Sequence, residues 1–359
     1  MKNSLFFLLS GEHDTLPPAE VLAILESESF TYHDVKSSQK LLTLDASHDC
    51  LPLVSKRAGM CETSGQLIFR CKDQQDEIIK RASETDFSQY LESGMNFSVR
   101  VLRVFGSSRH LHKLQLQSDL GQTISSLSKS KADLKHPEKE FIGIISEGLF
   151  FFGLIASKRQ DNKIDQRNPK LRPSSHPSTL KPRLARCFVN LARARKGEIM
   201  LDPFCGVGGI LIEGGTMGCR VAGSDLDPRM IHKAIRNLKH YNIYPETLMI
   251  ADGRNLPYFT VSSIATDPPY GRGASTMGSE LRVLLREFLS EAKSTLTRDG
   301  FLCLASPAEM KIKSLGLEAS LKVIESHIIR VHRSLDREVV VFSRKKLSRE
   351  DRVPWNLYS

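Results

Sequence analysis

The chain has 359 residues, 40% of them hydrophobic and 26% charged, a composition that supports two or three globular domains and excludes general disorder. No apolar run approaches the ~20 residues of a membrane helix, and Leu5–Leu9 is too short for the core of a signal peptide. The net charge of +10 is unevenly placed: residues 1–160 hold 19 Lys/Arg against 20 Asp/Glu, and residues 161–359 hold 32 against 21.

In chain order, Leu5-Phe6-Phe7-Leu8-Leu9 predicts a strand over 4–10. Pro17-Pro18-Ala19-Glu20 then opens a helix, since proline is tolerated in a first turn, with Leu16, Val21, Leu22 and Leu25 as its apolar stripe. Strand-like runs at 41–44, 66–71, 97–104, 112–117, 141–145 and 149–156 alternate with helical stretches near 73–82 and 119–130. This is an α+β pattern in two small units, divided as 1–65 and 66–157. Residues 158–176 are polar, basic and proline-containing, and read as an interdomain linker. Twelve basic residues in 158–196 face only Asp161 and Asp165. Such a block suits a polyanion such as RNA or DNA, or is simply a solvated face.

From 177 to 347 the texture becomes regular. Helices over about 181–194, 208–217, 228–241 and 278–296 interleave with strands at 198–202, 219–224, 247–250, 262–266 and 300–305. The predicted fold class is α/β, a Rossmann-like, mostly parallel doubly wound sheet. Two closing strands, 326–333 and 338–344, make an antiparallel edge hairpin, and 348–359 is a tail. The seven cysteines (Cys50, Cys61, Cys71, Cys187, Cys205, Cys219 and Cys303) form no Cys-x-x-Cys pair. Reduced thiols in a cytoplasmic protein, with no metal site and no disulfide frame, are expected.

The chemistry concentrates at the ends of the predicted strands. Leu201-Asp202-Pro203-Phe204-Cys205-Gly206-Val207-Gly208-Gly209 lies between a strand and a helix. There glycines permit a sharp turn and close approach of a ligand to the backbone. Asp225 ends the next strand, with Leu226 after it, where a carboxylate can take both ribose hydroxyls of an adenosine. Asp252, followed by Gly253, ends the third and could receive the adenine amino group. A nicotinamide dinucleotide fits poorly. The third glycine of Gly-x-Gly-x-x-Gly is replaced by Leu211, and Asp202 would oppose a pyrophosphate but attract a sulfonium or ammonium. The cofactor expected is therefore S-adenosyl-L-methionine. Asp227, just before Pro228, reads as a helix cap, and Cys205 as loop lining.

Asp267-Pro268-Pro269-Tyr270-Gly271 follows the strand Ile264-Ala265-Thr266 and so lies at the carboxyl edge of the sheet. An exocyclic base amine is a poor nucleophile because its lone pair is delocalised into the ring. Asp267 can accept one N–H and the Pro268 carbonyl the other, which favours a pyramidal nitrogen facing the methyl donor. Tyr270 offers a flat surface on which the base stacks. The pattern predicts an amino-methyltransferase acting on a nucleobase.

Taken with Arg172-Pro173-Ser174-Ser175-His176-Pro177-Ser178-Thr179-Leu180-Lys181-Pro182 and Gly223-Ser224-Asp225-Leu226-Asp227, these motifs resemble the archaeal tRNA guanosine-10 N2-methyltransferase family over roughly 165–345. The resemblance implies a class I S-adenosylmethionine-dependent methyltransferase domain preceded by ferredoxin-like (1–65) and THUMP (66–157) domains. It also implies tRNA as partner and substrate, methylation of guanine N2 once or twice, and a small zinc-containing activator protein as a further partner. It places Pro177, Thr179, Leu180 and Pro182 beside the cofactor, with Asp202, Phe204, Gly206, Gly208, Asp225, Leu226, Asp252, Gly253 and Asp267. Asp-Pro-Pro-Tyr is shared with adenine-N6 methyltransferases, so an amino-methyltransferase on DNA adenine or ribosomal RNA guanine is the alternative. A non-catalytic RNA-binding relic would not be expected to retain all four aspartates, Asp202, Asp225, Asp252 and Asp267.

Overall fold

The computed structural model describes residues 4–92, 94–104, 108–159, 164–257, 260–269, 275–332 and 335–344. In chain order the first part comprises β1 (Ser4–Leu9), α1 (Leu16–Ser27), β2 (Tyr32–Ser38), β3 (Leu41–Ala46), α2 (Cys50–Arg57), β4 (Cys61–Lys72), α3 (Gln75–Ser83), β5 (Asn96–Arg103), α4 (Lys113–Ser128), β6 (Lys131–Ala132), β7 (Lys139–Ser146) and β8 (Leu149–Lys158). The second comprises α5 (Pro182–Leu191), β9 (Ile199–Asp202), α6 (Gly209–Thr216), β10 (Arg220–Asp225), α7 (Pro228–His240), β11 (Thr247–Ile250), β12 (Val261–Thr266), α8 (Ser275–Thr295), β13 (Leu296–Pro307), α9 (Ile312–Glu318), β14 (Lys322–His332) and β15 (Leu335–Ser343).

The chain divides into two compact units, and the division does not follow the sequence linearly. One holds Met1–Asp14, Phe30–Lys56 and Cys61–Arg159; the other holds Thr15–Ser29, Arg57–Met60 and Gln160–Ser359. The first unit is a single eight-stranded sheet in the order β2-β3-β1-β4-β8-β7-β5-β6. The domain cut expected between 65 and 66 falls inside β4, which pairs with β1 on one side and β8 on the other. Its core is a cluster of phenylalanines, with Phe141 and Phe152 stacked at 5.6 Å and Phe87 edge-on to Phe141. The strand expected over 112–117 is instead the first turn of α4. Buried Leu116, Leu120 and Ile124 recur at four-residue spacing, and this helical stripe prevails over the local Leu114/Leu116 alternation.

The second unit is a seven-stranded sheet, β11-β10-β9-β12-β13-β15-β14, parallel except for the hairpin β14–β15 at one edge, as expected. Successive strand residues point to opposite faces, and both faces are covered. Met200, Val221, Ala265, Cys303 and Val341 pack with α5, α6 and α7, while Leu201, Ala222, Ile264, Leu302 and Phe342 pack with α8 and α9. The chain leaves β9 towards β10 and later returns to its other side as β12. The strand order therefore reverses at the β9/β12 pair, where open α/β sheets form a ligand crevice at the strands' carboxyl ends.

Helix α1 belongs to this second unit. Glu20, fully buried, accepts the backbone N–H groups of Gly59 and Met60 at 2.8 Å each, and Asn190 of α5 donates to it at 2.8 Å. Arg193 bridges Glu26 (2.9 Å) and buried Glu325 (2.7 Å), and His327 joins Glu325 to Thr15 at the start of α1.

The basic block is also other than a solvated stripe. Arg167, Arg172, Arg186 and Arg193 are all at least nine-tenths buried. Arg167 and Arg186 converge on fully buried Glu213 at 2.7 and 3.0 Å. Buried charge must be paired, and here Arg167, Arg186 and Arg193, each paired with glutamate, form an internal frame of the second unit. The 158–176 stretch carries part of that frame, with Ser174 tied to Asn237 at 2.9 Å in both directions, so it is not a free linker.

Candidate active site

The end of β9 and the turn after it build the floor of the crevice. Asp202 is the last residue of the strand and is 1% exposed. Thr266, the last residue of β12, donates to it from Oγ1 at 2.7 Å, and the Phe204 N–H donates at 3.2 Å. Burial pushes the Asp202 carboxyl up to about 7, and the nearby carboxylates of Asp225 and Asp267 push the same way. The loop turns through Gly206 (φ +51°) and Gly208 (φ +83°) into α6. A side chain on Gly208 would be strained by its φ and would touch Ala234 of α7 at 3.4 Å. Gly208 thus shapes the turn from behind and is not among the residues lining the crevice.

Asp225 at the end of β10 faces this loop. It accepts the Gly206 N–H at 2.9 Å and the Asp227 N–H at 2.9 Å, which fixes its carboxylate and leaves further lone pairs for a ligand. Asp227 caps α7 through the Arg229 N–H, as expected. Asp252 follows β11, and the Arg254 guanidinium holds its carboxyl below the ordinary range. A Cβ at Gly253 would meet the Phe204 ring at 2.4 Å, so only glycine lets the ring lie against this segment. Cys205 is buried, which pushes its thiol well up and leaves it lining rather than nucleophile.

These residues enclose two adjoining hollows. The smaller, about 70 Å³, is bordered by Thr179, Leu180, Asp202, Cys205, Val207, Gly209 and Ile210. The larger, about 540 Å³, is bordered by Asp225, Leu226, Ala251, Asp252, Gly253, Pro269 and Leu284. His176, Ser178, Phe204, Gly206 and Asp267 border both. The structure thus brings together Thr179, Leu180, Asp202, Phe204, Gly206, Asp225, Leu226, Asp252, Gly253 and Asp267 of the expected set. Pro177 is exposed while its neighbours His176 and Ser178 take the lining positions. Pro182 and Pro268 are buried and line neither hollow, and Pro269 borders the larger one; Tyr270 lies outside the described residues. His176, joined to Ser178 at 2.7 Å, and Met230 and Arg254 were not singled out by sequence, because only the folded turn carries them to the rim.

Asp267 stands immediately beyond β12, with its side chain 12% exposed. Arg337 of β15 donates from Nη1 to its Oδ2 at 3.2 Å. Asp202 and Asp267 therefore end the two strands at the point of reversal, and Asp225 ends the strand next to β9. The donor set is anionic, rich in glycine turns and fitted to a cationic ligand with a nucleoside end.

Residues 169–338 match a family model described as RMKL-like, methyltransferase domain. The chain is 34% identical to a tRNA (guanine(10)-N2)-dimethyltransferase from Methanothermobacter thermautotrophicus over 94% of this chain and 98% of that protein. It is 28% identical to one from Methanocaldococcus jannaschii over 94% and 99%. Among solved structures, TrmN from Thermus thermophilus superposes with a TM-score of 0.54 at 19% identity, covering 95% of this chain and 99% of that one. SMU.472, crystallised with SAH, does so at 0.51 and 12%, covering 97% and 100%. The fold of the second unit is that of the class I methyltransferases.

Proposed function

The chain belongs to the tRNA (guanine(10)-N2)-dimethyltransferase family, and we propose on that premise that it transfers methyl groups from S-adenosyl-L-methionine to the exocyclic N2 amine of guanosine 10 in tRNA. The observation that carries this reading is the meeting of Asp202 and Asp267 at the strand-reversal point, with Asp225 and Asp252 on the neighbouring strand ends.

Each carboxylate has a task set by its place. Asp225 would accept the ribose hydroxyls, and Asp252, already oriented by Arg254, the adenine amine. Phe204 and Leu226, which border the same hollow, would hold the adenine. Asp202 faces the hollow that suits the amino-acid end of the donor, and its ionised form is favoured once a cation neutralises its neighbours. S-adenosyl-L-methionine, when bound, supplies a methyl group already activated by a sulfonium. The protein therefore needs mainly to position the amine. Asp267 would accept one amine N–H and the Pro268 carbonyl the other. The amine nitrogen would form its bond to the methyl carbon as the sulfur–methyl bond breaks and the sulfur leaves as a neutral thioether, and Asp267 would take the proton that the nitrogen sheds. Tyr270 would stack on the extruded guanine.

The first unit, an α+β sheet preceding the catalytic part, is read as the ferredoxin-like and THUMP portions that grip the tRNA at a distance from the target base. Asp267→Asn tests the chemistry: methyl transfer to tRNA should fall by about 10²–10⁴ at saturating S-adenosylmethionine, with tRNA binding retained. Turnover near wild type would refute the role given to Asp267.

A further inference from the structure

We infer that Arg337 is a positioning residue for methyl transfer, holding the Asp267 carboxylate ionised and oriented towards the base amine. The inference rests on the reading of Asp267 as the group that receives the amine.

The topology supplies the residue. β12 and β13 run parallel and end at Thr266 and Pro307 on the carboxyl edge of the sheet. β15 runs antiparallel to β13, in the register Pro307↔Arg337. The start of β15 is thereby laid at the edge where the parallel strands finish. Strands lie ≈4.8 Å apart, so β15 stands two spacings from β12, a gap that an extended arginine can span. Arg337 reaches over the end of β13 and donates to Asp267 Oδ2 at 3.2 Å. Both side chains are 12% exposed, sheltered enough for the pair to be weakly screened.

The chemistry asks for such a partner. Asp202 and Asp225 place further carboxyl groups at the crevice, and neighbouring carboxylates favour protonation of one of their number. A protonated Asp267 could neither draw out the amine lone pair nor accept its proton. A guanidinium on Oδ2 opposes that protonation and fixes the carboxylate plane. A carboxylate accepts up to about four hydrogen bonds, so one held by Arg337 still permits an amine N–H. The hairpin that closes the sheet thus also completes the catalytic edge.

Arg337→Gln and Arg337→Lys would be assayed in the full chain with tRNA and S-adenosylmethionine, alongside thermal unfolding and calorimetric titration of S-adenosylmethionine. We expect kcat to fall by about 10²-fold in the glutamine variant, the scale of a misplaced reacting group, with KM for both substrates within a few-fold of wild type. Lysine, retaining the charge but not the fork, should recover part of the loss. Three results would overturn the inference: unchanged kcat in both variants; a rise in KM for tRNA with kcat intact, marking Arg337 as a phosphate contact; or loss of kcat only in proportion to loss of folded protein. Failure of the wild-type chain to methylate tRNA would instead sink the underlying reading of Asp267.

Discussion

Asp202 carries a charge state that depends on what lies beside it. Its carboxyl, pushed up to about 7 by burial, binds a proton more tightly in the folded chain than in the unfolded one. The sign follows: its contribution to stability is fully present below the ordinary carboxyl range, near 4, and is lost as pH rises towards 7. The ligand-free protein should therefore lose thermal stability across this window, and Asp202→Asn should lose less. A cation bound beside Asp202 favours the ionised form, so S-adenosylmethionine binding near neutral pH should release protons. Calorimetry in buffers of different ionisation enthalpy reads this directly; equal heats after correction in wild type and Asp202→Asn would contradict it. Asp202, Asp225, Asp252 and Asp267 were legible in the sequence because each sits at a strand end, where position and chemistry coincide. Arg337 was not, since its partner is 70 residues away and the two meet only through the register of β13 and β15.

At the scale of elements, the central strands of the second unit were readable from apolar runs such as Ile199-Met200-Leu201 and Phe301-Leu302-Cys303-Leu304 between glycine and aspartate turns, because burial on both faces favours apolar side chains. The first unit was harder. Its strands are partly exposed, and the 112–117 alternation imitated a strand inside what is the α4 stripe of Leu116, Leu120 and Ile124. Helix α1 was legible as a helix, but its affiliation was not, because that depends on Glu20 meeting Gly59, Met60 and Asn190. Glu20→Ala would strand two backbone donors and an amide in a buried site. It should cost about 3 kcal/mol, read as a fall in the denaturation midpoint, with Glu20→Gln milder. A change under 0.5 kcal/mol would mean that α1 contributes little to holding the second unit together.

For the whole molecule, the interleaved division matters most. Thr15–Ser29 and Arg57–Met60 belong to the catalytic unit, so a fragment beginning at 158 lacks part of its own core and removes Glu26 from Arg193 and Thr15 from His327. Such a fragment should show no cooperative unfolding and no S-adenosylmethionine binding. A folded, cofactor-binding fragment would contradict the division. The net charge of +10 still suits a polyanionic partner, yet Arg167, Arg186 and Arg193 are spent internally. Replacing them should lower stability rather than the salt dependence of tRNA binding.

The most direct test is nucleoside analysis of unmodified tRNA after incubation with the 359-residue chain and S-adenosylmethionine, with the modified position mapped. The expected product is N2-methylated guanosine at position 10, converted onward to the dimethylated form at long times. Label in adenosine, at another guanosine, or only in ribosomal RNA or DNA would contradict the proposed function.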